Sequence, residues 1–559
     1  MFDDELNCSS KQSTPEKASQ SKAISFQPLP IQNAAGNLLI NKYVQEPGIV
    51  FILQDYLYRM STIRRQSIIS SLVIYMGFAV GMLNVYFFTR EGLFTTDQYG
   101  LTQVFIAVST MMQALATFGM PSFIFKFYPY YSHHLPDHKN DILSLALAVG
   151  LAGFVMVAIG GWLFKDLVIK KYSANAPQLV NYYFWIFPMG LGLTVYTILE
   201  AYTQSIRRPV VTNFLREVQW RLWTTVLIVL FVFQVITDFD VFIKLYIFGY
   251  PLVAISLLIY LAATGKLHLS FSISKVTRRL SAKIVSFCLF VYSGMLVFTL
   301  SGIFDTMVIA SVLEDGLEKA AIFTLAQTMT SIIQAPQRGV IAATIAHLSQ
   351  AWKDKDLRTL QKIYQRSSIN LLLFAVGIFI LIALNYTEAV FTFKLKPEYA
   401  LGFSAFMFIG LTKVIDLGTG LNAQIIGTSN YWRFELISGV VLLAVTLPLT
   451  YIMAKQYGIV GPAIATLVSV SLYNMIRLVF LYKKFKLQPF TPASFYTIIV
   501  AVCCYAACYF AFRNLHGFTG LFLRSAAFVL LYGGSVIYFK LSPDVQPVWQ
   551  SIRKRMGKK

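Results

Sequence analysis

Six charged residues stand inside long apolar stretches of the chain: Arg221, Arg338 and Lys413 among the cations, Glu217, Asp305 and Asp416 among the acids. Side chains of this kind, far from water, hold ions. The three cations suit an anionic group such as a phosphate, because an arginine fork donates two parallel hydrogen bonds to phosphate oxygens. Asp305 is the complementary candidate for a protonatable or sodium-binding group, with Asp416 and Glu217 behind it. Each also has a packing role open to it. Glu217 and Arg221 are spaced i,i+4 and Lys413 and Asp416 i,i+3, so each pair can neutralise itself on one helix face. Asp305 and Arg338, in consecutive stretches, can pair across helices.

Neutral hydrogen-bonding residues accompany the charges. Gln327, Gln334 and Arg338 are separated by seven and then four positions, which puts them on one face of a helix. Pro336 within that stretch removes one backbone hydrogen bond and is a candidate hinge. Asn84, Gln103, Gln113, Gln337, Asn422 and Asn474 are further candidates for lining a polar cavity. The competing role for any one of them is hydrogen bonding between helices. Covalent chemistry has less to work with. The chain has no GxxxxGK[ST] nucleotide loop. His133, His134 and His138 lie in a basic loop without metal-ligand spacing, and Cys503, Cys504 and Cys508 read as packing residues. The expectation is a non-enzyme without metal or cofactor, driven by mass action or by coupling to Na+ or H+.

The elements that must position these residues follow from composition. Of 559 residues, 56% are hydrophobic and only 13% charged, with 46 Phe and 31 Tyr. Soluble domains carry about twice that share of charge. Fourteen apolar runs, from 67–89 to 520–540, are long enough for a spanning helix of about 20 residues. The alternating pattern of a membrane β-barrel is missing, so the fold class is an all-α polytopic membrane protein. The weakest runs are the fifth, 211–236, which holds Arg216, Glu217 and Arg221, and the tenth, 398–426, which holds Lys413 and Asp416. At 1.5 Å per residue, Arg221 lies about 18 Å from the turn at Pro209, Arg338 about 16 Å from Ser349 and Lys413 about 21 Å from Gly427. These are depths near the middle of a core about 30 Å thick. Asp305 lies roughly 12 Å inside the opposite face. Lys244, Arg477, Arg524, Glu200, Arg433 and Glu435 lie nearer helix ends and are expected to reach the headgroups.

Loop charges give an orientation. With fourteen spans, 28 lysines and arginines fall on the side of the two termini and 9 on the other. Cytoplasmic loops carry such an excess, so both termini are expected in the cytoplasm of a multi-pass inner-membrane protein. The same loops account for the net charge of +21, through topology and anionic lipid headgroups rather than nucleic acid. Residues 1–45 are polar, and Ile49–Tyr58 is apolar enough to lie in the interface. The pattern of spans one to six recurs in spans seven to twelve at offsets of 221–222 residues, matching Asn84 with Asp305, Gln113 with Gln334 and Leu199 with Leu421. An even number of spans per half makes this a parallel repeat. The expected organisation is a polar segment 1–65, an N-lobe 66–265, a linker 266–283 and a C-lobe 284–485. Two further helices, 486–540, and a basic tail, 541–559, complete it.

Several motifs carry a family resemblance. Tyr99-Gly100 opens the second span and Gly119 closes it. Asp305 sits near the end of the seventh span, followed by an acidic loop and Gln327, Gln334 and Pro336. Gly427-Thr-Ser-Asn430 precedes a further helix and Gly458-Ile-Val-Gly-Pro-Ala-Ile-Ala-Thr466. The chain resembles the multidrug/oligosaccharidyl-lipid/polysaccharide (MOP) exporter superfamily, specifically its Wzx-like polysaccharide and lipid-linked oligosaccharide flippases, over about residues 65–485. The resemblance implies two six-helix lobes around a central cavity that opens alternately to either side. It also implies a lipid-linked saccharide as cargo, with Arg221, Arg338 and Lys413 facing its anionic pyrophosphate. Polysaccharide polymerases or glycosyltransferases are the partners expected beside the bilayer. Two rivals differ in class: a cation-coupled multidrug exporter, and a non-transporting scaffold in which the central charges are fully paired in a dry core.

Overall fold

The computed structural model describes residues 62–270 and 272–545. The polar stretch 1–45, the interfacial segment Ile49–Tyr58 and the basic run Arg553–Lys559 lie outside the described residues. Among the described residues all extended regular structure is helical, with one isolated antiparallel bridge between Arg90 and Leu395.

The first six long helices are α1 (Thr62–Thr89), α2 (Thr96–Ala116), α3 (Ile142–Leu163), α4 (Ile186–Ser205), α5 (209–232) and α6 (Phe239–Ala263). The next six are α7 (Lys275–Val312), α8 (Gly316–Lys353), α9 (Leu357–Thr392), α10 (Gly402–Gly418), α11 (Trp432–Tyr457) and α12 (Val460–Phe485). They are followed by α13 (Pro492–Ala511) and α14 (Gly517–Tyr538). A shorter helix, Met120–His134, links α2 to α3. Helix starts follow the sequence. Thr95 accepts from the Gln98 amide at 3.2 Å while the Gln98 side chain accepts from the Thr95 amide at 2.8 Å, a reciprocal cap that starts α2. Ser274 caps α7 by accepting from the Thr277 amide at 3.1 Å. The linker 266–283 is therefore already helical from Lys275, and α7 is 38 residues long.

Twelve of these helices are long and apolar enough to cross a membrane. The two below that mark are α5 and α8, the helices that carry Glu217, Arg221, Gln327, Gln334 and Arg338. The tenth run, α10, meets the apolar criterion despite Lys413 and Asp416. α5 is one continuous helical path made of Pro209–Phe214, a π turn Leu215–Gln219 and Trp220–Val232.

In the first half α2 packs on α3 and α4, α4 on α6, and α1 on α5. In the second half α7 packs on α11, α11 on α12, and α10 on α8, α9 and α12. Across the halves, α2 packs on α7 and α8. The final pair, α13 and α14, packs on α9 and on each other. α7 belongs to both halves. Its start bonds to the first half, where Thr277 donates to Asp141 at 2.7 Å, and its far end packs beside α11.

The two ends of the bundle differ. On the lysine-poor side the halves are sewn together. Gly316 donates its amide to the Asn175 carbonyl at 2.8 Å, Asn175 donates to the Ser311 carbonyl at 3.0 Å, and Lys396 donates its amide to the Thr89 carbonyl at 3.1 Å. The Lys396 ammonium also donates to the Phe94 carbonyl. Gly100 lets α2 approach the Leu317 carbonyl so closely that any Cβ there would collide with it.

Candidate translocation site

The two halves of α8 sit in different surroundings. From Leu317 to Ala326 it is buried in a core shared with Leu101, Val104 and Phe105 of α2. Beyond Thr330 its face opens, and Arg338, Ala343, Ala346 and His347 are exposed. The first part of α8 is thus packed against α2 of the other half on the lysine-poor side, and its second part is more exposed. Arg338 stands in that more exposed part. Among the described residues its guanidinium forms no ion pair or hydrogen bond. Gln327 and Gln334, half-buried, share its face, and the helix runs unbroken through Pro336. An unpaired arginine facing hydrocarbon at mid-helix costs roughly 2.5–3.5 kcal/mol on insertion scales and more on others. An exposed Arg338 therefore needs water or lipid headgroups beside it.

Arg221 is placed differently. Its guanidinium donates to the Glu217 carboxylate at 2.5 Å and to the Glu217 carbonyl at 2.8 Å. Gly77 and Gly81 bring α1 against this pair, and a Cβ at Gly81 would lie 2.6 Å from the Arg221 Nε. Asn84, one turn on, donates to the Arg221 carbonyl at 2.8 Å and accepts from Thr225 at 2.7 Å. Arg216 extends the chain of charges, 3.3 Å from Glu200 and 3.9 Å from Glu217. The π turn puts both residues into this network, and such turns recur where helices carry function. Asn84 thus ties α1 to α5 and Arg221 pairs with Glu217 on its own helix, the packing role that their spacing also allowed.

The second half builds its own polar cluster. Asp305 is buried and accepts from Thr450 of α11 at 3.1 Å and Thr466 of α12 at 2.9 Å. It is not paired with Arg338, a correction to the sequence reading. The cation facing it is Lys413 of α10, which interacts electrostatically with both Asp305 and Asp416. Asp416 accepts from Asn474 at 3.1 Å, whose amide oxygen accepts from Asn422 at 2.8 Å and Thr419 at 3.1 Å. Asn422 in turn accepts from Arg477 at 3.4 Å. A continuous polar thread therefore runs from Asn422 to Asp416 inside the C-half, with Lys413 as the cation between Asp416 and Asp305.

Three of the six residues assigned to the headgroups, Arg477, Glu200 and Arg524, are buried. Arg477 is 4% exposed and bonds to Glu435 and Tyr473, so it does not snorkel. Glu200 is buried against Arg216, and Arg524 is buried and donates to the Leu384 and Leu515 carbonyls at 3.1 and 2.9 Å. Lys244 pairs with Asp240 at 2.5 Å. Distance from a helix end misled here because a neighbouring helix offered a closer partner than the interface did. Sequence reasoning also missed Thr450 and Glu200 as partners. A readable signal for Glu200 was an acid facing Arg216 across the short turn at Pro209. Gln113 is buried with its amide nitrogen unpartnered among the described residues. His134 stacks on Tyr130 with ring centres 4.0 Å apart, and no group of three metal-ligating side chains occurs among the described residues.

No protein-family model and no curated sequence matches the chain. Solved structures do. The lipid II flippase MurJ in an inward closed conformation aligns with a TM-score of 0.67 at 13% identity, over 85% of this chain and 99% of that one. An inward-facing multidrug resistance MATE family transporter of the MOP superfamily aligns at 0.60 and 14%, over 75% and 98%. A MOP superfamily transporter from Pyrococcus furiosus, described by the reversed polarity of its binding pocket, aligns at 0.51 and 14%, over 77% and 97%. In fold, the chain is thus similar to these transporters of the MOP superfamily.

Proposed function

We propose that this protein is a flippase that carries a lipid-linked saccharide across the cytoplasmic membrane by alternating access, without a covalent step. The observation that supports it most is Arg338, exposed midway along α8 and without an ion pair or hydrogen bond among the described residues, with Gln334 and Gln327 on the same face. A saccharide carries many hydroxyls, each costing several kcal/mol in a medium that cannot hydrogen-bond. A wet cleft lined by amides removes that cost, and an arginine fork in it meets the phosphate between lipid and sugar. Likeness in fold to a lipid II flippase supports the same cargo class. In this reading the lysine-rich side is cytoplasmic, both termini lie there, and the described state opens inward. Polymerases or glycosyltransferases of surface-glycan assembly are its natural partners.

Asp305, with Thr450, Thr466 and Lys413, is the candidate coupling group, drawing on Na+ or H+. That cluster also supports the rival reading, cation-coupled multidrug export, in keeping with the fold likeness to a MATE transporter. Reconstitution into vesicles separates the two. A flippase moves a fluorescent lipid-linked pyrophosphate saccharide between leaflets, and Arg338→Ala and Lys413→Ala lose that movement at normal expression. Cation-driven drug efflux with no lipid movement would overturn the proposal.

A further inference from the structure

A second cavity lies at the lysine-rich end, away from α8. It is an open groove of about 910 Å³ between the first turns of α9, the α12–α13 loop and the segment that follows α14. Three of its cations, Arg358, Lys362 and Arg366, recur every fourth residue of α9 and so share one face. Lys486 and Lys540 approach from the other two walls. Both lysines close their helices, α12 and α14, in the left-handed conformation (φ 59° and 53°), a place glycine usually takes. The backbone strain that glycine would avoid is tolerated here, and the two positive charges are kept.

Acidic residues offset this charge only in part. Asp544 takes up Arg366 and accepts from Asn370 at 2.6 Å, while Asp356 interacts with Arg358. Lys362, Lys486 and Lys540 form no ion pair among the described residues. The walls are fixed to one another. The Gln361 amide donates to the Gln488 carbonyl at 2.7 Å and accepts from the Gln488 amide at 3.0 Å, and Ser542 donates to Asn370 at 2.6 Å. Below the cations the lining turns apolar, with Ile369, Leu487 and Leu541 buried in the core that α9 shares with α13 and α14.

A compact array of cations over an apolar wall, at the membrane-surface ends of three spanning helices, matches one kind of ligand. We propose that this cavity binds the phosphate headgroup of an anionic phospholipid, its acyl chains lying along the apolar wall beside α9. Basic pockets between helices at a membrane face take such headgroups. The site is separate from the Arg338 cleft and does not depend on what the chain carries. Its effect is to fasten α13 and α14 to α9 in anionic membranes.

The test uses the purified full chain in detergent, with lipid binding measured by native mass spectrometry. Phosphatidylglycerol binds in preference to phosphatidylcholine, and Lys362→Gln/Lys486→Gln weakens it about 25-fold, at about fivefold per cation near the surface. Lys540→Gln alone costs about fivefold. Arg278→Gln/Arg279→Gln, which removes the same charge from an exposed site outside the cavity, leaves binding unchanged. Equal losses in the two double variants, or no preference over phosphatidylcholine, overturn the proposal. Soluble glycerol phosphate that displaces the lipid at equal concentration would assign the cavity to a free phosphate and overturn the lipid.

Discussion

Removing Arg477 from the C-half tests whether its polar thread is structural. The side chain is 5% exposed, and Glu435, its partner, is 19% exposed. The guanidinium donates Nε to Glu435 at 3.0 Å and a second N–H to the other carboxylate oxygen. It also donates to Asn422 at 3.4 Å and lies 3.6 Å from the Tyr473 ring centre. Arg477→Met leaves the largely shielded Glu435 carboxylate with the Tyr473 hydroxyl, which donates to it at 3.0 Å. Breaking a buried pair from one side costs about 3–5 kcal/mol, because the remaining charge is uncompensated. Removing both charges in Arg477→Met/Glu435→Leu spares that penalty. What remains is lost hydrogen bonding to Asn422 and Tyr473, about 1 kcal/mol each. Reversible unfolding by a denaturing detergent, followed by tryptophan fluorescence, reads the difference. The expected order is parent, double variant, then single variant, with a coupling of about 2 kcal/mol or more. If the single and double variants differ by less than about 0.5 kcal/mol, the pair does not bind α11 to α12 as described.

Three other perturbations follow from the geometry. Gly100→Ala puts a methyl group against the Leu317 carbonyl, forcing α2 from α8 on the lysine-poor side. Spin labels at Asp166→Cys and Glu314→Cys should then report a longer distance across the seam, and an unchanged distance contradicts the closure. Burial alone would raise the Asp544 carboxyl, but hydrogen bonds from Arg366 and Asn370 and the Arg366 charge outweigh it and hold the pKa below its ordinary value. Its stabilisation is therefore present above the unfolded value of about 3.9 and fades as pH falls through the lower folded value. Asp544→Asn should flatten the acid limb of thermal stability below about pH 4, and an unaltered limb removes the pair from the account. Asp305→Asn should abolish the dependence of transport on an imposed sodium or proton gradient. Full gradient dependence in that variant would exclude Asp305 from coupling.

Much of the architecture was legible because the bilayer writes it into the sequence. Apolar runs of fixed length gave the helices, and the doubled pattern gave the two halves and the added pair α13 and α14. Boundaries were less legible. The apolar part of α7 begins near 284, but the helix starts nine residues earlier, at Lys275, because Ser274 caps it. Of the candidate site residues, Gln327, Gln334 and Arg338 keep the single face that their spacing required, since helical periodicity is local. Partners across helices are not local. Glu217 took Arg221 within one helix, as spacing allowed, whereas Asp305 went to Thr450 and Thr466 instead of Arg338. Depth along a helix says how far a charge is from water, and not which neighbour stands beside it. Arg477 and Arg524 were misread for that reason.

The central claim is that Arg338 faces water in a cleft that meets an anionic lipid headgroup. Arg338→Cys in a chain stripped of its other cysteines tests it directly, by the rate of reaction with a membrane-impermeant thiol reagent applied from the lysine-rich side. Rapid modification, slowed when a lipid-linked pyrophosphate is present, is the predicted result. A thiol that stays inert until the protein is unfolded would contradict it.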